Sequence, residues 1–245
     1  MRKDCITQTK GKSHENNIYD KTSFIIVADS PNARMKSYGP TSLLNINNQK
    51  LIDIQLQQIT KYFKQYEVIL CTGYESDKIT RHIKYKHKDI NIRTVENQNY
   101  QDTNSCESLR LALNNINNNK VFIVDGNLIF DGKVFTQDIQ KSYMLFETKN
   151  KTLEVGININ EQGYTEHIGF GAMNYWSEIL YLHDTNILNN FCKCISNATF
   201  KKKFIFEAIN SMISNRAKIA AVKNTNSVFK IQGVKYYHQI KGDKK

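Results

Sequence analysis

Apolar residues along this chain gather in short unbroken runs, separated by segments in which they recur every three or four positions. Phe24 to Ala28 is the first run. It lacks polar alternation, as expected of a strand buried on both faces, and it empties into a polar loop, Asp29 to Leu44, that holds both prolines, Pro31 and Pro40. Leu51, Ile52, Leu56, Ile59 and Phe63 then fall on helical spacing and predict an amphipathic crossover helix. Glu67 to Cys71 reads as a second buried strand ending in Thr72-Gly73-Tyr74. Ser76 to Lys88 reads as a helix, Ile90 to Val95 as a strand, Ser105 to Asn114 as a helix, and Val121 to Asn127 as a fourth strand with its polar residues at the carboxyl end. Strand and helix in this alternation predict a mostly parallel central sheet flanked by helices, built from right-handed crossovers.

The second half reads differently. Thr152 to Ile159 and Gly163 to Gly171 form a candidate antiparallel strand pair around the turn at Asn160 to Gly163. Trp176 to Leu182 fits strand or helix, and its period does not decide. Asn186 to Ile195 and Phe204 to Ser214 read as helices, followed by short strands at Ile219 to Val222 and Val228 to Ile231. We find no internal repeat. If the first half is parallel, four polar segments meet along one sheet edge: Asp29 to Leu44, Thr72 to Ser76, Asn97 to Ser108 and Asp125 to Asp131. Open α/β sheets bind ligands at such an edge.

Composition narrows the class. The chain has 245 residues, 40% of them hydrophobic, enough for one large α/β unit, expected over 21–245 behind a flexible polar arm at 1–20. No apolar run approaches the roughly 20 residues that a membrane-spanning helix needs, and the first twenty residues have no apolar signal core. Five scattered cysteines fit reduced thiols and a cytoplasmic setting, and the Cys192/Cys194 spacing suits neither a zinc knuckle nor a thioredoxin-like motif. A formal charge of +11 attracts phosphate, whether of a nucleotide, a nucleic acid or a membrane, without choosing between them, and the basic residues are spread along the chain as solvated faces would be. His82, His87, His167, His183 and His238 show no paired spacing and read as structural or exposed. Tyr175 and Trp176 read as core.

Specific residues sharpen this. Ala28-Asp29-Ser30-Pro31-Asn32-Ala33-Arg34-Met35, then Pro40-Thr41-Ser42-Leu43-Leu44, resembles the signature A-A-G-x-G-x-R-M, then P-K-x-L-L, of the nucleotidyltransferases that activate sugar phosphates and phosphocholine. Thr72-Gly73-Tyr74 is similar to the family's T-G-Y. Asn99 to Asn104 with Ser108-Leu109 resembles the substrate loop of its phosphocholine-type cytidylyltransferases, the segment from Asp125 to Asp131 its G-D-x-x-F-D, and Val228 to Ile240 its closing strand and helix. The resemblance spans about residues 24 to 240 and implies a GT-A-like α/β fold. It also implies binding of a nucleoside triphosphate, CTP or UTP, and of a phosphorylated acceptor of the sugar-phosphate or phosphocholine type. In the reaction it implies, an acceptor phosphate oxygen attacks the α-phosphorus and pyrophosphate leaves. Carried onto this chain, it gives Arg34 and Lys36 catalytic contacts with phosphate. Ala28, Asp29, Ser30, Asn32, Gly73, Asn104, Ser105 and Ser108 fall to nucleotide binding, and Asp125 with Asn127 to a weakly held Mg2+. Asn104, Ser105 and Ser108 also suit the start of a helix.

The departures fall where the chemistry is concentrated. Ser30 and Asn32 replace glycines whose backbone N–H groups approach phosphate, and Thr41 replaces a lysine. Asn127 replaces a metal-binding aspartate, and Ile231-Gln232-Gly233 offers no carboxylate where the distant partner is expected. These losses point to a nucleotide-binding scaffold with reduced or lost catalysis. Two alternatives stay open: an active transferase with a rearranged site, and a non-enzymatic basic protein that binds nucleic acid or a larger assembly.

Overall fold

The computed structural model describes residues 21–242, apart from 115, 117, 138–139 and 149–153; the arm expected at 1–20 and the start of the strand expected from Thr152 lie outside the described residues. The chain runs β1 (Thr22–Ala28), β2 (Asn45–Ile46), β3 (Gln49–Lys50), α1 (Leu51–Tyr62), β4 (Tyr66–Thr72), α2 (Ser76–Lys86), β5 (Ile92–Glu96), α3 (Ser105–Leu113), β6 (Val121–Asp125) and β7 (Leu128–Phe130). It continues through β8 (Tyr143–Glu147), β9 (Val155–Ile159), β10 (Thr165–Phe170), β11 (Asn174–Leu182), α4 (Thr185–Ser196), α5 (Ile205–Ser214), β12 (Ala220–Lys223), β13 (Val228–Lys230) and α6 (Val234–Lys241).

The main sheet has the order β10-β9-β11-β6-β1-β4-β5, with β8 also paired to β11 and β12 paired to β8. From β6 to β5 the pairing is parallel, as the alternation of strand and helix predicts. Beyond β6 it turns antiparallel through β11, β9 and β10. This part is larger than one strand pair. β8 is an element that the sequence pattern does not announce, and β11 resolves as a strand the segment whose period was ambiguous. Because β1 is flanked by β4 on one side and β6 on the other, the strand order reverses there. That makes the carboxyl ends of β1 and β6 the topological switch point, where open α/β sheets hold ligands.

Both faces of β1 are buried because helices cover both. Phe24 and Ile26 point into a core shared with Ile52, Leu56 and Ile59 of α1 and Ile79 and Ile83 of α2. Ile25 points the other way, toward Leu109 of α3, Phe191 of α4 and Ile209 of α5. An unbroken apolar run is the sequence signature of that arrangement. Phe24 stacks on Phe122 at 5.2 Å and meets Phe63 and Phe135 edge-on. A third cluster, with Met35, Leu44, Ile46, Leu51, Ile231 and Tyr237, pins the long loop after β1 against the chain around α6. No helix among the described residues is long and apolar enough to cross a membrane.

Candidate active site

Parallel pairing sets Val27 beside Asp125, so the chain leaves β1 and β6 side by side. Gly126 lies where a Cβ would come within 2.8 Å of the Ala28 Cβ, and the two strand ends pack that closely because it has none. On the other flank Gly73 lets β4 turn. A Cβ there would sit 2.5 Å from the Asp29 carbonyl oxygen and 2.8 Å from Tyr100 Cβ, while the next amide, Tyr74 N–H, donates to that same carbonyl at 2.7 Å. The result is a cavity of about 340 Å³ at the switch point. Ala28, Asp29 and Ser30 line one side, Asn104 and Ser105 another, and Asp125 and Asn127 a third.

Asp29 is 4% exposed. Its carboxylate accepts hydrogen bonds from Ser30 Oγ at 3.0 Å and from Ser108 Oγ. Asn97 Nδ2 donates to Ser108 Oγ at 2.9 Å and to Thr103 Oγ1 at 2.9 Å, so a polar chain runs from the loop before α3 back to the end of β1. Burial pushes the Asp29 carboxyl above the usual range; the two hydroxyls oppose that rise, and the nearby Asp125 adds to it. Ser108 therefore works from beneath the cavity by orienting Asp29. Asn104 caps α3, its Oδ1 accepting from Ser105 N–H at 2.8 Å, and Ser105 Oγ accepts from Ile205 N–H at 3.2 Å. Both face the cavity while holding the start of a helix.

The strongest charges at the site come from elsewhere. Lys230, at the end of β13, puts its ammonium 3.7 Å from Asp125 Oδ2 and in contact with Glu178 Oε1. Glu178 gets there through backbone strain. β11 breaks register between Trp176 and Leu180, and Glu178 takes a left-handed φ of 56°, which turns its side chain into the crevice. Burial, reinforced by Asp125, holds the Glu178 carboxyl well above the ordinary range. Burial acts on Asp125 in the same direction, but Lys230, Glu178 and the Asn127 N–H at 2.7 Å leave it below its usual value, as an ionised acid. Burial on its own would lower the Lys230 ammonium; the two acids keep it raised and charged.

Nucleotidyltransferases are among the solved structures that share this architecture. The CTP:phosphocholine cytidylyltransferase LicC from Streptococcus pneumoniae matches with a TM-score of 0.77 at 18% identity, over 91% of this chain and 98% of that one. The fold is nucleotidyltransferase-like. The inositol-1-phosphate CTP transferase from T. maritima matches at 0.71 with 11% identity over 91% and 96% of the two chains. A UDP-glucose pyrophosphorylase complexed with UDP-glucose matches at 0.73 with 12% identity over 90% and 97%. By sequence, residues 44–152 match a family described as a domain of unknown function (DUF6564). No curated protein sequence matches.

Within this nucleotidyltransferase-like fold the other expected residues lie outside the cavity wall. Arg34 and Lys36 are exposed on the loop after β1, which is anchored between them by buried Met35. Neither is held by an ion pair to a carboxylate among the described residues. Asn32 ties the loop down, its Nδ2 donating to the Ile231 carbonyl at 3.4 Å while its Oδ1 accepts from Arg34 N–H at 3.2 Å. Trp176 belongs to the core, as its apolar setting suggests, and its ring also forms a wall of the cavity. Phe170, Phe204 and Phe206 rim the opening: Phe204 stacks on Phe206 at 5.7 Å, Phe170 meets Phe206 edge-on at 6.1 Å, and Phe170 is 69% exposed.

A magnesium seat built from Asp125 and Asn127 does not fit this arrangement. Magnesium needs free hard oxygens in near-octahedral array. Asp125 Oδ1 already accepts the Asn127 N–H, and its Oδ2 faces Lys230, whose ammonium stands between Asp125 and Glu178 where a cation would otherwise bridge them. Sequence reasoning misses both Glu178 and Lys230. A single acid inside the apolar stretch Asn174–Leu182 is the signal that could have found the first. A lysine in the closing strand, next to the Ile231-Gln232-Gly233 stretch where a carboxylate is expected, could have found the second.

Proposed function

We propose that this protein binds a nucleoside triphosphate, CTP or UTP, in the switch-point crevice, together with a phosphorylated small-molecule acceptor, and that catalysis is reduced because a lysine ammonium stands where a metal would work. The observation that carries this reading is the Asp125–Lys230–Glu178 cluster inside a cavity bounded by the carboxyl ends of β1 and β6. In phosphoryl and nucleotidyl transfer the protein's task is chiefly positioning and charge neutralisation. With Asp125 neutralised by Lys230, the triphosphate would rely on Arg34 and Lys36, which are exposed and have no carboxylate partner among the described residues. A fork-shaped guanidinium suits two phosphate oxygens, and a lysine adds a mobile point charge.

The aromatic rim argues for the acceptor. Phe170, Phe204 and Phe206 with Trp176 bring four aromatic rings to the cavity, and aromatic faces favour an organic ammonium over a neutral sugar. Phosphocholine, the acceptor named for the Streptococcus pneumoniae relative, is therefore the first compound to try. An acceptor phosphate oxygen would bond to the α-phosphorus as the bond to the pyrophosphate oxygen breaks.

Thermal-shift titration tests binding. A hundredfold excess over Kd stabilises by about 2.7 kcal/mol, or roughly 5 to 10 °C for a chain of this size. CTP or UTP should give such a shift with chelator present; no shift from any nucleotide at millimolar concentration rejects the proposal. A coupled assay for pyrophosphate with CTP and phosphocholine separates reduced from absent turnover.

A further inference from the structure

Away from the crevice, on the outer side of α1 and α2, three potential ligand atoms converge. His82 Nε2 lies 2.7 Å and His87 Nε2 2.6 Å from the same atom, Asp53 Oδ1, and the three ligand atoms all fall within 4.8 Å of one another. The imidazole rings are 5.9 Å apart at 69°. The sequence shows no paired spacing for these two histidines; the structure brings them together nonetheless, and the reason is the helix end. Five residues apart on one helix, the two side chains would diverge by about 140°. α2 stops at Lys86, however, and His87 takes φ −120° and ψ 47°, which brings its ring back beside His82.

We infer that Asp53, His82 and His87 form a binding site for a divalent transition metal such as zinc, nickel or cobalt. Imidazole nitrogen with one carboxylate oxygen is a donor set that suits these borderline ions and disfavours magnesium and calcium, which take oxygen ligands. Three protein ligands leave at least one coordination position for water. The carboxylate is held ready for this. Asp53 is the third residue of α1, where Lys50 N–H donates to its Oδ2 at 3.2 Å and Lys86 Nζ approaches that oxygen at 2.6 Å. Both of those contacts fall on Oδ2, so among the described residues Oδ1 is bonded by the two imidazoles alone. The surroundings give one-sided access: Asp53 has 4% of its side chain exposed, His87 11% and His82 20%. On metal binding the Nε2 lone pairs and Oδ1 form the bonds; a neutral ring carries its one proton on Nδ1, and a ring that starts as imidazolium gives its Nε2 proton to water and keeps the one on Nδ1. Lys86 is half exposed and can swing toward solvent as the charge arrives.

Such an ion would tie α2 to α1. That link extends toward the crevice, because Gln55, two residues on from Asp53, donates from Nε2 to the carbonyls of Gly126 at 3.3 Å and Leu128 at 2.7 Å, on either side of Asn127.

The test titrates zinc chloride into chelator-stripped full-length protein by calorimetry, with the visible spectrum of the cobalt(II) form as a second readout. We expect one saturable equivalent, at least tenfold weaker binding in His82→Gln and in His87→Gln, and loss of the cobalt bands in the double variant. Lys86→Gln should bind several-fold tighter, because it removes a competing positive charge; a cluster that only braces two helices would show no such gain. Melting in chelator establishes that each variant folds. If the double variant does not fold, nickel-induced NMR broadening of the His82 and His87 rings in the wild-type chain, ahead of His14, His167, His183 and His238, decides the question. Absence of saturation by zinc, nickel and cobalt, unchanged affinity in the folded double variant, or thiolate bands in the cobalt spectrum would overturn the assignment.

Discussion

Two acid–base clusters in this molecule are built on opposite plans. At the switch point Asp125 and Glu178 share one ammonium, Lys230, delivered by the last strand. On the helical face one carboxylate, Asp53, gathers His82, His87 and Lys86. In the first the cation is covalently part of the chain and cannot leave. In the second two of the three nitrogen donors are imidazoles, whose lone pairs can be offered to another cation. In the crevice the cation is thus built into the chain, whereas the helical cluster keeps donor atoms that another cation could take.

The comparison breaks most sharply at Lys230. Lys230→Ala leaves Asp125 and Glu178 facing each other partly buried, and removing one partner of such a pair costs about 3 to 5 kcal/mol, read as a lower midpoint in urea denaturation. The same variant should acquire a magnesium requirement for nucleotide binding. Next in size is Gly73→Ala, whose Cβ meets the Asp29 carbonyl and Tyr100 and should destabilise by about 1 to 3 kcal/mol while distorting the β1 end. Ser108→Ala withdraws one hydroxyl from Asp29 and should cost about 1 to 2 kcal/mol in the same denaturation measurement. Asn104→Ala removes the cap of α3 for about 1 kcal/mol, with weakened nucleotide binding if the residue also faces the ligand.

A pH series sharpens the picture of Asp29. Its folded-state pKa is raised, so its contribution to stability is fully present below the unfolded value near 3.8 and is lost as pH rises through the folded value. Stability of the wild type relative to Asp29→Asn should therefore decline from about pH 4 upward and level off once the folded carboxyl has ionised. A flat difference between the two proteins across that range would mean that burial does not govern this carboxyl.

Much of this was legible from residues alone. The run at Phe24 announces β1 because helices bury both of its faces, and the alternation of such runs with helical periods gives the parallel centre of the sheet. The four polar segments at strand ends predict where the cavity lies, and the cavity is lined by residues from three of them. The same physics hides β11: a strand buried on both faces has no period, so Trp176 to Leu182 reads equally as helix. Glu178 is harder still: its acid stands out in an apolar stretch, but the left-handed φ that turns it inward occurs at a residue other than glycine and has no local sequence mark. Lys230 hides behind a pattern that directs the search toward carboxylates. The histidine pair is invisible to any search by helical spacing, since it depends on where α2 ends.

The account rests on a crevice whose cation is Lys230. Calorimetric titration of CTP and UTP into the wild type, once in chelator and once in magnesium, tests it most directly. We predict nearly equal affinities in the two buffers for whichever nucleotide binds; binding that appears only when magnesium is added, or none in either buffer, would contradict it.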